Sequence, residues 1–242
     1  MRSSPFFIFN KYPSVIVAIS AKEDGPMKVR YELKKDNKTL LNRNKFLKKY
    51  DITNNMVVSA KLAQENNVHL ATKIDSGRFI PNTDALLTKE KGLYLSITIA
   101  DCILIFLYDP KSEVTGLIHT GWRGLSKKII PNAIRALIKN CKVQPENLIV
   151  GIGPGIDTCH FEVKDDVLNR FILYKDEIIK RGEKYFLDLK KIAVKQLLNL
   201  GIKKENIEVS PLCTYCEGDK YFSYRRDKSL PLKAMIAFIG MI

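Results

Sequence analysis

The amino-acid sequence predicts a layered α/β sandwich of the α+β kind, and three observations predict it. Short apolar, β-branched runs recur along the chain and read as strands, at 15–19, 93–99, 103–108, 114–118, 148–152 and 234–239. Three further segments carry apolar residues at helical spacing or helix-end signals. Turn-forming residues between neighbouring runs make local hairpins. Elements of both kinds bury their apolar faces by stacking in layers. At 242 residues the chain can build one sizeable core, as a single large domain or as two fused halves. No repeat, low-complexity tract or Pro/Ser-rich linker divides it, so 1–242 reads as one domain.

The elements follow in chain order. Residues 6–9 (Phe-Phe-Ile-Phe) and 15–19 are β-rich and read as paired strands. The polar, lysine-rich stretch 36–50 reads as a loop and then a helix beginning near Asn42. Three apolar runs occupy 93–99, 103–108 and 114–118. The last two flank Asp109-Pro110-Lys111-Ser112-Glu113, which is turn chemistry, so they form a hairpin. After the turn at 121–124, Leu125, Ile129, Ile130, Ala133, Ile134, Leu137 and Ile138 recur at helical spacing. Pro131 falls inside that pattern and should kink or restart the helix. The strand at 148–152 ends in Gly153-Pro154-Gly155. Asp188 is the N-cap of a helix over 189–200 with Gly201 as its stop, and 234–239 is the last strand.

Composition narrows the function classes. No apolar run approaches the roughly 20 residues that span a bilayer. At the amino terminus Arg2 and a short apolar patch are interrupted by Asn10 and Lys11, which is no signal peptide. Five cysteines in a chain this long point to reduced thiols and a cytoplasmic location. The net charge is +14, but Lys and Arg are spread along the chain with only short clusters such as Lys34-Lys35 and Lys203-Lys204. No basic stripe interleaves with aromatics, so lysine-rich solvated faces are expected rather than a nucleic-acid surface. A basic field still favours anionic small substrates, phosphate among them. The rival reading, a non-enzymatic basic protein on nucleic acid, predicts salt-sensitive binding and tolerance of Cys102→Ala.

Only His69, His119 and His160 can supply imidazole. His119 ends a predicted strand and leads into Thr120-Gly121-Trp122-Arg123-Gly124, a place at the rim of a sheet where sites are commonly built. Cys102 follows Ala100-Asp101 at the break between two strands. If the strands around 109–113 pair, Cys102 and His119 lie near one open end, although a slip of one residue turns either away. Together they allow metal binding or a Cys nucleophile with a His base. A buried thiol beside a satisfied strand-end histidine is the third reading. Cys213-Thr-Tyr-Cys216 is a CxxC without a second CxxC to complete a zinc site, and it reads as structural or substrate-shaping. Cys159-His160 is an adjacent pair, and sequence neighbours rarely ligate one ion together. Cys141, at a predicted helix end, has no evident partner. Arg123, and Arg225-Arg226 after Tyr221-Phe222-Ser223-Tyr224, suit an oxyanion with a ring stacked alongside.

Ala100-Asp101-Cys102 followed by His119-Thr-Gly-Trp-Arg-Gly124 resembles the multicopper polyphenol oxidoreductase, or laccase-domain, family, whose members are read as purine nucleoside phosphorylases. The likeness continues through Asn42-Arg43, Val68-His69, Thr83-Asp84-Ala85-Leu86, the stretch 152–156, Cys159 to Val163, Cys213-Thr-Tyr-Cys216 and Phe222-Ser223-Tyr224-Arg225-Arg226-Asp227. All stand in family order over nearly the whole chain. The resemblance implies a layered fold related to cysteine hydrolases, with zinc (copper as the alternative) on His69, Cys102 and His119. Three protein ligands leave a fourth position open, as catalytic sites do. It further implies phosphorolysis of adenosine, inosine and methylthioadenosine to base and ribose 1-phosphate, with adenosine deamination beside it, in a monomer or homodimer. On that reading Cys102, His119 and Arg123 are catalytic, and Arg43, Arg123, Phe222, Tyr224 and Arg225 bind substrate. Where the family commonly has glycine after the first histidine, this chain has Leu70, and where a cysteine pair is common it has Cys159-His160. The alternatives are a Cys102/His119 thiol hydrolase acting on amides such as cell-wall precursors, and a copper polyphenol oxidase. Three histidines are too few for multinuclear copper centres.

Overall fold

The computed structural model describes residues 4–29 and 37–242, so Arg2, Lys34-Lys35 and the start of the 36–50 stretch lie outside the described residues. In chain order the strands are β1 (Val15–Ile19), β2 (Val57–Ala60), β3 (Val68–Leu70), β4 (Phe79–Ile80), β5 (Ala85–Thr88), β6 (Tyr94–Ile99), β7 (Ile103–Asp109), β8 (Val114–Thr120), β9 (Ile149–Ile152), β10 (Glu162–Val163), β11 (Ile178–Arg181), β12 (Lys184–Leu187), β13 (Ile207–Val209) and β14 (Met235–Met241). The α-helices are α1 (Asn37–Lys48), α2 (Trp122–Ser126), α3 (Ile129–Cys141), α4 (Asp165–Leu168), α5 (Leu189–Leu198) and α6 (Tyr224–Asp227). One sheet has the order β13-β9-β7-β8-β5-β3, a second β1-β14-β6-β2-β4, and a small third β10-β12-β11.

The two large sheets stack, and the strand period of two decides what each face meets. On β7, Ile103, Ile105 and Leu107 pack with Ile134 and Leu137 of α3 and Ile192 of α5. The alternate residues Leu104 and Phe106 face Met235, Ala237 and Ile239 of β14 across the inter-sheet layer. The other side of β14, Ile236 and Phe238, meets Phe46 and Leu47 of α1. The order is therefore helix, sheet, sheet, helix. Central strands covered on both faces read as unbroken apolar runs, which is why β7, β8 and β14 stood out in the sequence.

Three local expectations are corrected. Residues 6–9 are not a strand: Phe7–Lys11 is a 3-10 helix, and its three-residue turn sets Phe6 and Phe9 side by side against Phe106 and Gly151. β1 pairs instead with β14. The helix expected near Asn42 already runs from Asn37. The 121–124 turn is itself helical, forming α2, and the chain breaks at Lys128 with φ +64° before α3 begins. Pro131 then sits in the first turn of α3, where its missing N–H removes no intrahelical bond. Asp188 caps α5 as expected, accepting the Lys191 N–H at 2.9 Å.

Candidate active site and metal ligands

The β7–β8 hairpin sets the site. Asp109 accepts the Lys111 N–H at 2.9 Å in the turn, and the register pairs Leu104 with His119 and Ile103 with Thr120. Cys102, one residue before β7, therefore lies opposite Gly121. A Cβ on Gly121 would stand 2.8 Å from Cys102 Sγ, so only glycine admits the thiol there. His119 shares the inter-sheet face with Leu117 and Leu104 by strand parity. His69 pairs with Leu86, which pairs with Leu117. The three residues thus stand on one face, toward one end of the same sheet.

Their surroundings differ. His119 is 5% exposed, and burial holds its imidazole down at about 4 against the opposing pull of Asp84. Its Nδ1 lies 3.8 Å from Asp84 Oδ1, and the Asp84 carboxylate is fixed by the Gln64 and Glu65 N–H groups at 2.8 and 2.9 Å. Burial pushes the Cys102 thiol up to about 12, helped by the charge of Asp101 and opposed by Arg123. Among the described residues no hydrogen bond joins Cys102 to His119. His69 Nε2 lies 3.0 Å from Asp75 Oδ2. Burial would raise the Asp75 carboxyl, but the Thr72 N–H and His69 outweigh it and hold it below the usual range.

Cys102 and His119 open into one cavity of about 580 Å³, whose lining also includes Arg43, Arg123, Tyr224 and Arg225 but not His69 or Phe222. Arg43 is 3% exposed. It donates to Ser59 Oγ at 2.7 Å and Ser96 Oγ at 3.4 Å and lies over the Phe79 ring. Arg123 stacks on Trp122 and donates to Gln64 Oε1 at 3.3 Å. Phe222 is instead buried in the inter-sheet core, its N–H on Met235 Sδ.

Two features went unread in the sequence. Asp101 adopts φ +79°, the left-handed region that non-glycine residues rarely enter. Its carboxylate accepts the Thr214 hydroxyl and the Arg225 N–H, each at 2.7 Å, and its carbonyl accepts the Ile156 N–H at 2.8 Å. The backbone here is over-determined by its partners, as strained functional positions are. The second feature is a donor cluster. Among the described residues, the group of three or more Cys, His, Asp or Glu ligand atoms all within 4.8 Å of one another is Cys159, His160, Cys213 and Cys216. His69, Cys102 and His119 do not form such a group in this conformation. Both halves of the cluster were visible as motifs, but the bridge between Gly155 and Cys213 that joins them spans 58 residues. Cys141 is buried in the helix-side core.

Comparison with known proteins places the chain among relatives. It is 34% identical over 187 residues to purine nucleoside phosphorylase YlmD of Geobacillus stearothermophilus, covering 72% of this chain and 68% of that one. It is 31% identical over 196 residues to the Bacillus subtilis protein of that name, covering 76% and 70%. The crystal structure of Bacillus licheniformis hypothetical protein YfiH superposes with a TM-score of 0.89 at 26% identity, over 97% of this chain and 94% of that one. The model of the family described as multi-copper polyphenol oxidoreductase laccase matches residues 31–241, and the chain belongs to that family.

Proposed function

We propose that the chain is a zinc-dependent purine nucleoside phosphorylase. It would convert adenosine, inosine or methylthioadenosine with phosphate to free base and ribose 1-phosphate, with adenosine deamination as a side activity. One observation carries this reading. The cavity that holds Cys102 and His119 is lined by Lys28, Arg43, Lys61, Arg123 and Arg225 against one acid, Asp101, among the described residues. Such an excess of fixed cations in a recess suits a polyanion, and the size lies within the roughly 300–1,000 Å³ of small-molecule sites. The relatives named as purine nucleoside phosphorylases agree in class.

The donors suit zinc. Cys102 offers a sulfur that would shed its proton on binding, and each histidine has a carboxylate beside one ring nitrogen, at 3.0 Å for His69 and 3.8 Å for His119. Asp75 takes His69 Nε2 and leaves Nδ1; Asp84 faces His119 Nδ1 and leaves Nε2. A carboxylate on the far ring nitrogen is the usual companion of a metal-binding histidine. Zinc held there supplies a Lewis acid for a phosphate or leaving-group oxygen; copper would draw on the same donors.

The remaining work falls to side chains. Arg43, immobilised by Ser59 and Ser96 in a buried setting, holds one face of phosphate where screening is weak. Arg123 at the mouth takes another oxygen. As the glycosidic bond lengthens, the ribose gains positive charge, and the oriented phosphate balances it from the attacking side. Tyr224, 61% exposed on the rim, offers its ring to the base.

The test is adenosine turnover by metal-analysed protein, with and without phosphate, comparing wild type with His69→Ala. Adenine formed only with phosphate, and zinc and activity lost together in the variant, support the reading. Activity retained by His69→Ala removes the three-ligand mechanism and promotes a Cys102 thiol hydrolase.

A further inference from the structure

We propose that Cys159, His160, Cys213 and Cys216 form a second, structural zinc site, closed by four protein ligands, that locks one wall of the cavity. The distances suit an ion. A tetrahedral zinc with bonds of about 2.3 Å to sulfur and 2.0–2.1 Å to nitrogen sets its ligands about 3.8 Å apart for two sulfurs and about 3.6 Å for sulfur and nitrogen. Cys159 Sγ lies 3.4 Å from both Cys213 Sγ and Cys216 Sγ, and Cys216 Sγ lies 3.4 Å from His160 Nδ1. All four donor atoms fall within 4.8 Å of one another. Cys159 stands equally close to both thiols of the CxxC. A disulfide would have to choose one partner and strand the other, whereas a tetrahedral cation uses all of them.

The site is also held in shape before any ion arrives. The Asp157 N–H reaches Cys213 Sγ at 3.4 Å, and the Glu217 N–H closes the CxxC turn on the Cys213 carbonyl at 2.9 Å. Tyr215 stacks on the His160 ring, with centroids 3.8 Å apart. Cations pin both segments from outside. Lys190 bridges Asp157 and the Leu212 carbonyl at 3.0 and 2.9 Å, and Arg226 donates to the Thr214 and Tyr215 carbonyls at 2.8 and 2.7 Å. Three thiolates and one imidazole around a divalent ion leave one net negative charge, beside the Lys190–Asp157 and Arg226–Asp227 ion pairs. The three thiol protons leave to solvent, and the exposed Cys159 and Cys216 give the ion a way in.

The cluster reaches the cavity through two short links. Thr214, inside the CxxC, donates to Asp101, whose other oxygen takes the Arg225 N–H. Arg225 Nη1 returns to the His160 and Glu162 carbonyls at 3.5 and 3.2 Å. An ion at the cluster therefore fixes Arg225 and Asp101, the residue before Cys102, without touching substrate.

The experiment is independent of the cavity chemistry. Full-length Cys102→Ala protein lacks the cavity thiol and keeps the cluster. Titrated with cobalt(II) under reducing conditions, it is expected to bind one equivalent with a thiolate-to-cobalt charge-transfer band. That band should vanish in Cys102→Ala/Cys216→Ser and change shape in Cys102→Ala/His160→Gln. Zinc should raise the melting temperature of Cys102→Ala protein by roughly 5–10 °C, a gain the Cys216→Ser variant loses. No band in Cys102→Ala protein, even if the double variants do not fold, overturns the assignment, and so does a band unchanged by both further substitutions. Loss of phosphorolysis in His69→Ala with this band intact would concern the cavity alone.

Discussion

His119 carries the sharpest residue-scale prediction. Its imidazole is held at about 4 in the fold, against about 6.5 when unfolded. The unfolded chain therefore binds the extra proton between those values, and stability falls as pH drops through that window. The full shift is worth roughly 3 kcal/mol, undiscounted because the ring is buried. In metal-stripped protein, urea unfolding should lose about 1.2 kcal/mol more between pH 6 and 5 in wild type than in His119→Gln. Equal slopes would mean that the ring is hydrated in solution. Arg43 makes the second. Its Nη2 donates to both hydroxyls while Nη1 reaches the Met27 carbonyl at 3.3 Å, a two-nitrogen span that lysine cannot reproduce. Arg43→Lys should raise the KM for phosphate about 10- to 100-fold, the value of a charge-assisted hydrogen bond or two, with a smaller effect on the KM for nucleoside. A KM for phosphate unchanged in a folded variant would assign Arg43 to the core alone.

At the scale of elements, local signals were legible and long-range ones were not. The β7–β8 hairpin could be read because its turn residues and both apolar runs lie within 103–118. Its register, Leu104 opposite His119, then delivers Cys102 and His119 to the same cavity. The Asp188 cap was equally local. Residues 6–9 misled because aromatic content favours a strand, whereas two phenylalanines three apart fit a 3-10 turn packed on Gly151. The cluster of Cys159 and Cys213 was illegible because its halves meet only when β9 and the segment after β13 come together. The strand-end geometry is itself testable through Gly121. An alanine methyl would have to share space with Cys102 Sγ, which the rigid hairpin cannot move aside freely. Gly121→Ala should lower turnover at least about tenfold while costing only about 1–3 kcal/mol of stability. Unchanged turnover, measured beside a thermal melt, would show that the thiol position does not matter to catalysis.

The molecule as a whole converts a dispersed charge into a local one. Along the sequence the +14 excess reads as solvated faces, since Lys28, Arg43, Lys61, Arg123 and Arg225 are separated by 15 to 102 residues. Folding brings the stretch around Lys28, α1, the segment after β2, α2 and α6 around one opening, so that these five cations line one recess. The arrangement has two electrostatic ranges. The field of the exposed lysines decays over about 10 Å at 0.1 M salt and about 3 Å at 1 M, so its pull on an approaching anion is lost as salt rises. The contact of buried Arg43 with a bound anion lies inside the protein and is screened far less. Raising sodium chloride from about 0.05 to 0.5 M should therefore lower kcat/KM for phosphate severalfold. The KM for uncharged adenosine should hardly move. Lys61→Glu should lower kcat/KM at low salt and flatten its salt dependence, because it removes a steering charge while leaving Arg43 in place. A kcat/KM for phosphate that ignores both salt and Lys61→Glu would confine the basic excess to solubility and leave anion capture to the arginines alone.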